Sequence, residues 1–114
     1  MFFVRVLPIA VLLATTPAMA AKLNYSGTWA ANPVQCKVPQ ERQGAPMILT
    51  AKGYDQHEAH CNFASVRKVW RGWRMAANCT VEGNQQRDTL NVKVSGDTLV
   101  MTSGKLTRRF KRCA

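Results

Sequence analysis

The sequence predicts an all-β domain, a small antiparallel meander that closes into a barrel with two disulfides. Three observations lead there. Apolar and polar residues alternate at period two over several short stretches, and turn signals recur every 8–12 residues through the second half. No stretch shows a sustained helical period. Closure is preferred over an open sheet because it removes the edges that a short meander would expose.

The first twenty residues stand outside this domain. Met1-Phe2-Phe3-Val4-Arg5 carries one positive charge, residues 6–14 are apolar with Pro8 among them, and Ala18-Met19-Ala20 follows a polar break. A charged start, an apolar centre and an Ala-x-Ala end make a secretory signal peptide, cleaved after Ala20. The apolar centre holds about nine residues, too few for a bilayer that needs roughly 20. The expectation is a periplasmic or secreted protein with no transmembrane segment, its domain spanning residues 21–114.

Within the domain, residues 25–31 read as a first strand, and 37–46, with two prolines and Gly44, as a long polar connection. Residues 47–51 are a second short apolar run, and Lys52-Gly53-Tyr54-Asp55 a turn. Residues 56–63 then alternate as one strand, with His57, Ala59, Cys61 and Phe63 on one face. The clearest strand is 73–81, with Trp73, Met75, Ala77, Cys79 and Val81 on one side and Arg74, Ala76, Asn78 and Thr80 on the other. Glu82-Gly83-Asn84 turns the chain, and Leu90, Val92 and Val94 alternate with Asn91 and Lys93. Ser95-Gly96-Asp97 is a hairpin signal, 98–102 returns with Leu99 and Met101 inward, and Ser103-Gly104-Lys105 leads into 106–112.

Four cysteines (Cys36, Cys61, Cys79, Cys113) in an exported chain read as two disulfides, not as a zinc site, since no C-x-x-C pair occurs. Three connectivities remain open on sequence alone. Cys36–Cys61 with Cys79–Cys113 is favoured, because the second bond would tie down a C-terminus that otherwise frays.

Charge is the other strong signal. Removing the leader leaves a net charge near +9 with six carboxylates, an excess that favours polyanions or an anionic membrane surface as partners. Two clusters concentrate it: Arg67-Lys68-Val69-Trp70-Arg71-Gly72-Trp73-Arg74 and Arg108-Arg109-Phe110-Lys111-Arg112. Guanidinium groups match anionic oxygens and indoles offer flat stacking faces. If both clusters fall on one side, they form one positive surface, with Trp73 in the core and Trp70 available for stacking.

The opening Tyr25-Ser26-Gly27-Thr28-Trp29, with a basic last strand, resembles the Gly-x-Trp start of the calycin barrels, which include lipocalins and avidins. That resemblance implies Trp29 as a plug at one barrel end, with Arg108 or Arg109 packed over it. In size and export the chain is similar to periplasmic inhibitors of bacterial metalloproteases. Its overall layout, from Gly27-Thr28-Trp29 through the four cysteines to Arg112-Cys113, resembles short exported four-cysteine proteins of Gram-negative bacteria.

No catalytic motif stands out. His57-Glu58-Ala59-His60 has its histidines three apart, where a zinc protease helix needs four, and no nucleophile elbow or phosphate loop is present. The expectation is therefore a monomeric, non-catalytic barrel without cofactor or metal. It would bind lipopolysaccharide, an acidic glycan or an acidic protein surface through Arg67, Lys68, Trp70, Arg71, Arg74, Arg108, Arg109, Lys111 and Arg112. The alternative is an inhibitor of a hydrolase acting as a protein partner, reached through the 37–46 loop.

Overall fold

A computed structural model describes residues 24–114, so the leader read at 1–20 lies outside the described residues. Eight strands run in chain order: β1 (Gly27–Ala30), β2 (Met47–Thr50), β3 (Gly53–Gln56), β4 (Ala59–Val69), β5 (Gly72–Val81), β6 (Asn84–Ser95), β7 (Thr98–Ser103) and β8 (Leu106–Arg112). A short 3-10 helix (Pro33–Lys37) follows β1. Each strand pairs antiparallel with the next, and β8 returns to β1 through Trp29↔Arg112 and Ala30↔Lys111, which closes the barrel. No helix among the described residues is long and apolar enough to cross a membrane.

Period-two alternation decides what faces inward. Trp29, Met47, Leu49, Cys61, Met75, Ala77, Cys79, Leu90, Val92, Leu99, Met101 and Phe110 are all buried, and no polar or charged residue among those described is. Burying a large apolar side chain contributes about 1.5–3 kcal/mol, so this single layer supplies most of the driving force. In β4 a bulge between Phe63 and Ser65 shifts the phase by one residue, which keeps Val66 on the inner side. Gly72 is required by close approach, because a Cβ there would strike the carbonyl of Val92.

Up-and-down order gives the barrel two unlike ends. One end carries the turns at 51–52, 70–71 and 96–97 together with Arg112; the other carries the turns at 57–58, 82–83 and 104–105. The first end is plugged. Trp29 is fully buried and its Nε1 donates to the Tyr25 carbonyl at 2.8 Å. The Arg112 guanidinium lies 4.2 Å from the Trp29 ring centroid and donates to the carbonyls of Ser26 and Asn24 at 3.0 and 2.8 Å. The cover is therefore Arg112 and not Arg108 or Arg109, which sit further along β8 towards the other end. Gly27 makes room for it: its φ is +144°, and a Cβ would lie 2.6 Å from Arg112 Nη1.

Three readings are corrected. The stretch 56–63 is not one strand but a hairpin, with β3 ending at Gln56, a turn at His57-Glu58, and β4 starting at Ala59. Gly53-Tyr54-Asp55 is strand and not turn. The disulfides are Cys36–Cys113 and Cys61–Cys79. Cys61 and Cys79 are direct cross-strand partners on the inner face, so they join each other. Cys36, on the 3-10 helix beside β1, meets Cys113, whose N–H donates to the Thr28 carbonyl at 2.8 Å. The C-terminus is tied down, as a chain end prone to fraying requires, but to a different partner.

Candidate functional site

The first basic cluster becomes the β4–β5 hairpin. Its base is stapled by Cys61–Cys79, which encloses the turn at Trp70-Arg71. Trp70 is 78% exposed, Arg71 adopts a left-handed φ of 60°, and the Arg71 guanidinium stacks 5.1 Å from the Trp70 centroid. A non-glycine residue in that region costs free energy, and here the cost is tolerated at the tip that displays an indole. Lys68 faces the inner side and lies 5.1 Å above Trp73, whose ring is half-buried and whose Nε1 donates to Asn24. Arg67 and Arg74 point outward, directly opposite each other across the strands. Like charges so placed repel, and no carboxylate relieves them.

Strand register extends this charge around the wall. Arg74 pairs with Asn91 and donates to its side-chain oxygen at 2.9 Å. Two residues on, Lys93 also points outward, opposite Val100, which in turn opposes Arg109. Strands lie about 4.8 Å apart, so Lys93 and Arg109 are roughly 10 Å apart along this row, within one Debye length at moderate salt. Arg87 completes the set on the outer face of β6, opposite Asn78. Between these cations the outward positions include Asn62, Asn78, Thr80, Thr89, Asn91, Thr102 and Thr107, and the outward side chains of β4–β8 include no carboxylate. Among the described residues none of Arg67, Arg71, Arg74, Arg87, Lys93 or Arg109 forms an ion pair. A shallow depression of about 530 Å³ runs along this wall, bounded by Trp70, Arg74, Asn91, Lys93 and Thr102.

The structure thus gathers Arg67, Trp70, Arg71, Arg74 and Arg109, adds Lys93 and Arg87, and divides the second cluster. Arg112 is engaged with Trp29 at the plugged end. Lys111 donates to Thr98 Oγ1 at 2.9 Å and lies 3.8 Å from Asp97. Arg108, exposed at the opposite end, lies over the Phe110 ring and lines the same cavity as Tyr54. Lys93 stands between Val92 and Val94, outside both basic runs, and only strand pairing brings it near Arg74.

The remaining singled-out segments lie elsewhere. His57 Nδ1 sits 3.2 Å from the Gln40 carbonyl, and His60 Nδ1 sits 2.7 Å from its cross-strand neighbour Asp55. The 37–46 loop is fastened down: Gln40 donates to the Pro46 carbonyl at 2.7 Å, and Gln56 to the Ala45 carbonyl at 3.4 Å. A box at Asn32 and Gln35 caps the 3-10 helix that leads into it.

No protein family matches this chain, and none was found among curated proteins or solved structures that is similar to it.

Proposed function

We propose that this protein is a non-catalytic binding protein for acidic glycans, the anionic sugars of lipopolysaccharide among them, which it holds on the outer wall of β4–β8. The observation that carries the reading is the composition of that wall. Cations recur on four of its strands, the positions between them are mostly amides and hydroxyls, and no outward carboxylate interrupts them. Guanidinium and ammonium groups would take sulfate, phosphate or carboxylate oxygens. Asparagine and threonine side chains would bond sugar hydroxyls, and the exposed Trp70 would stack on a ring face. Two disulfides suit an oxidising compartment outside the cytoplasm, where such glycans are met.

The test is binding of the purified, oxidised protein to a sulfated glycan and to lipopolysaccharide at roughly 50 and 200 mM salt. Displacement of counterions at several anionic groups predicts a loss of about tenfold or more across that range. Weak binding that ignores salt, or equal binding to an uncharged glycan, would reduce the wall to a solubility feature.

A further inference from the structure

The open end of the barrel carries a second site of different chemistry. Residues 84–89 of β6 pair only with β5, because β7 pairs with β6 from Leu90 onward. The β5–β6 hairpin therefore stands clear of the β7–β8 hairpin, and a cavity of about 290 Å³ opens between them. Its floor is apolar, formed by the buried Leu90 and Met101. Its walls carry Asp88 and Gln86 on one side, Arg108 on the other, and Tyr54 between.

The two charges in this cavity do not neutralise each other. No ion pair joins Arg108 to Asp88; among the described residues the Asp88 carboxylate accepts from Gln86, at 3.1 Å, and the Arg108 guanidinium rests 5.2 Å from the Phe110 centroid. Burial keeps the Tyr54 pKa above the ordinary 10.0, and both charges reach its phenol electrostatically: Arg108 favours the ionised form and Asp88 opposes it. The phenol is thus a neutral hydrogen-bonding group in a cavity lined by both Arg108, which is exposed, and Asp88. A volume of 290 Å³ is that of about ten liquid waters at ~30 Å³ each, enough for a molecule of amino-acid size.

We propose that this mouth binds a small zwitterion of amino-acid chemistry, its carboxylate on Arg108, its ammonium on Asp88 and an apolar side chain over Leu90 and Met101. A zwitterion pairs with both wall groups, a singly charged molecule with one and an uncharged molecule with neither, and the number of charge-assisted contacts sets the selectivity. The site is separate from the outer wall, and its existence does not depend on glycan binding.

The experiment is a backbone-amide NMR titration of the oxidised protein with leucine, methionine and phenylalanine, each beside its N-acetyl and its carboxamide derivative. The expected result is saturable shifts at Tyr54, Leu90, Met101 and Arg108 with at least one zwitterion. Each singly charged derivative should bind about tenfold more weakly or worse. Arg108→Gln should erase the preference for a free carboxylate, and Asp88→Asn the preference for a free ammonium, with amide spectra otherwise unchanged. Should a variant misfold, the derivative series on the unaltered protein still decides. No saturable shift up to ~10 mM, where ligands of this size register even when weak, would overturn the proposal. So would equal binding of the derivatives, or shifts that gather on the β4–β5 hairpin.

Discussion

The outer wall and the mouth share strands β4–β8, seen from their two sides, and Tyr54 of β3 joins them at the mouth. Outward, these strands present Arg74, Arg87, Lys93 and Arg109 with no acid; inward at the mouth, they present Asp88 and Arg108 across a gap. The wall is a surface of one sign, open along its length and suited to an extended partner. The mouth is small, of mixed sign and backed by an apolar floor, suited to a compact one. Alternation along a strand lets one chain carry both, because adjacent residues face opposite sides of the sheet. The difference also has a stability side. A wall of like charges repels itself, so the disulfides that hold the hairpin base and the C-terminus oppose the charge as well as the chain entropy.

The largest effect expected follows from that opposition. Replacing Cys36 and Cys113 by serine opens a bond with sequence separation 77, and the chain-entropy model assigns about 4–5 kcal/mol to such a closure. Replacing Cys61 and Cys79 by alanine opens a separation of 18 and should cost about 3 kcal/mol. Denaturant midpoints of the two double variants check the order. If the shorter loop proved the costlier, packing at Cys61 and Cys79 would outweigh loop entropy.

A second contrast separates the two regions by charge. Reversal at Arg74 and Lys93 together should weaken glycan binding tenfold or more, and should lower the salt dependence by about one for each anionic group no longer neutralised. Arg108→Gln and Asp88→Asn should leave glycan affinity within about twofold of the parent. Binding isotherms at two salt concentrations distinguish these outcomes, and an equal weakening from both sets would merge the regions into one electrostatic site.

Tyr25 and Tyr54 compare the ends more finely. Tyr25 is fully buried and its hydroxyl has no hydrogen-bond partner among the described residues, whereas Tyr54 lines the open cavity. Burial pushes the Tyr25 phenol above its ordinary 10.0. The fold therefore holds that proton more tightly than the unfolded chain does. The contribution is fully present below pH about 10 and is lost as pH rises through the raised value. Tyr25→Phe should leave stability unchanged or raise it by up to about 1 kcal/mol, and should flatten the alkaline loss. Thermal melts from about pH 7 to 11 would show this; marked destabilisation would mean that the hydroxyl is satisfied by an internal water.

The smallest structural effect belongs to Trp70→Ala. At 78% exposure its removal should shift the melting midpoint little, while glycan affinity falls several-fold as its stacking face disappears. A fall in stability comparable to that of a core deletion would assign Trp70 to packing.

Legibility in the sequence followed physical pattern. β5 is legible because its alternation is unbroken from Trp73 to Val81, and the turns at Gly83, Gly96 and Gly104 because each uses a glycine at positive φ. The β3–β4 turn is not, since His57-Glu58 lacks turn chemistry and Glu58 takes a φ of 54° without being glycine. Gly53 misleads in the opposite sense. It sits within a strand because a Cβ there would meet the Cys61 carbonyl, a constraint of packing and not of turning. At the site, Trp70 and the hairpin arginines are visible as a run, whereas Lys93 and Arg87 join them only through register. Disulfide pairing likewise depends on which strands lie opposite, which spacing does not encode.

The most direct test of the outer wall as a glycan surface is a residue-resolved map of a sulfated oligosaccharide on the oxidised protein, read from amide and indole NMR shifts. The prediction is that shifts concentrate at Arg67, Arg74, Arg87, Lys93, Arg109 and the Trp70 indole, and diminish together as salt is raised. Shifts confined to the 37–46 loop or to the mouth residues Tyr54, Asp88 and Arg108 would contradict it.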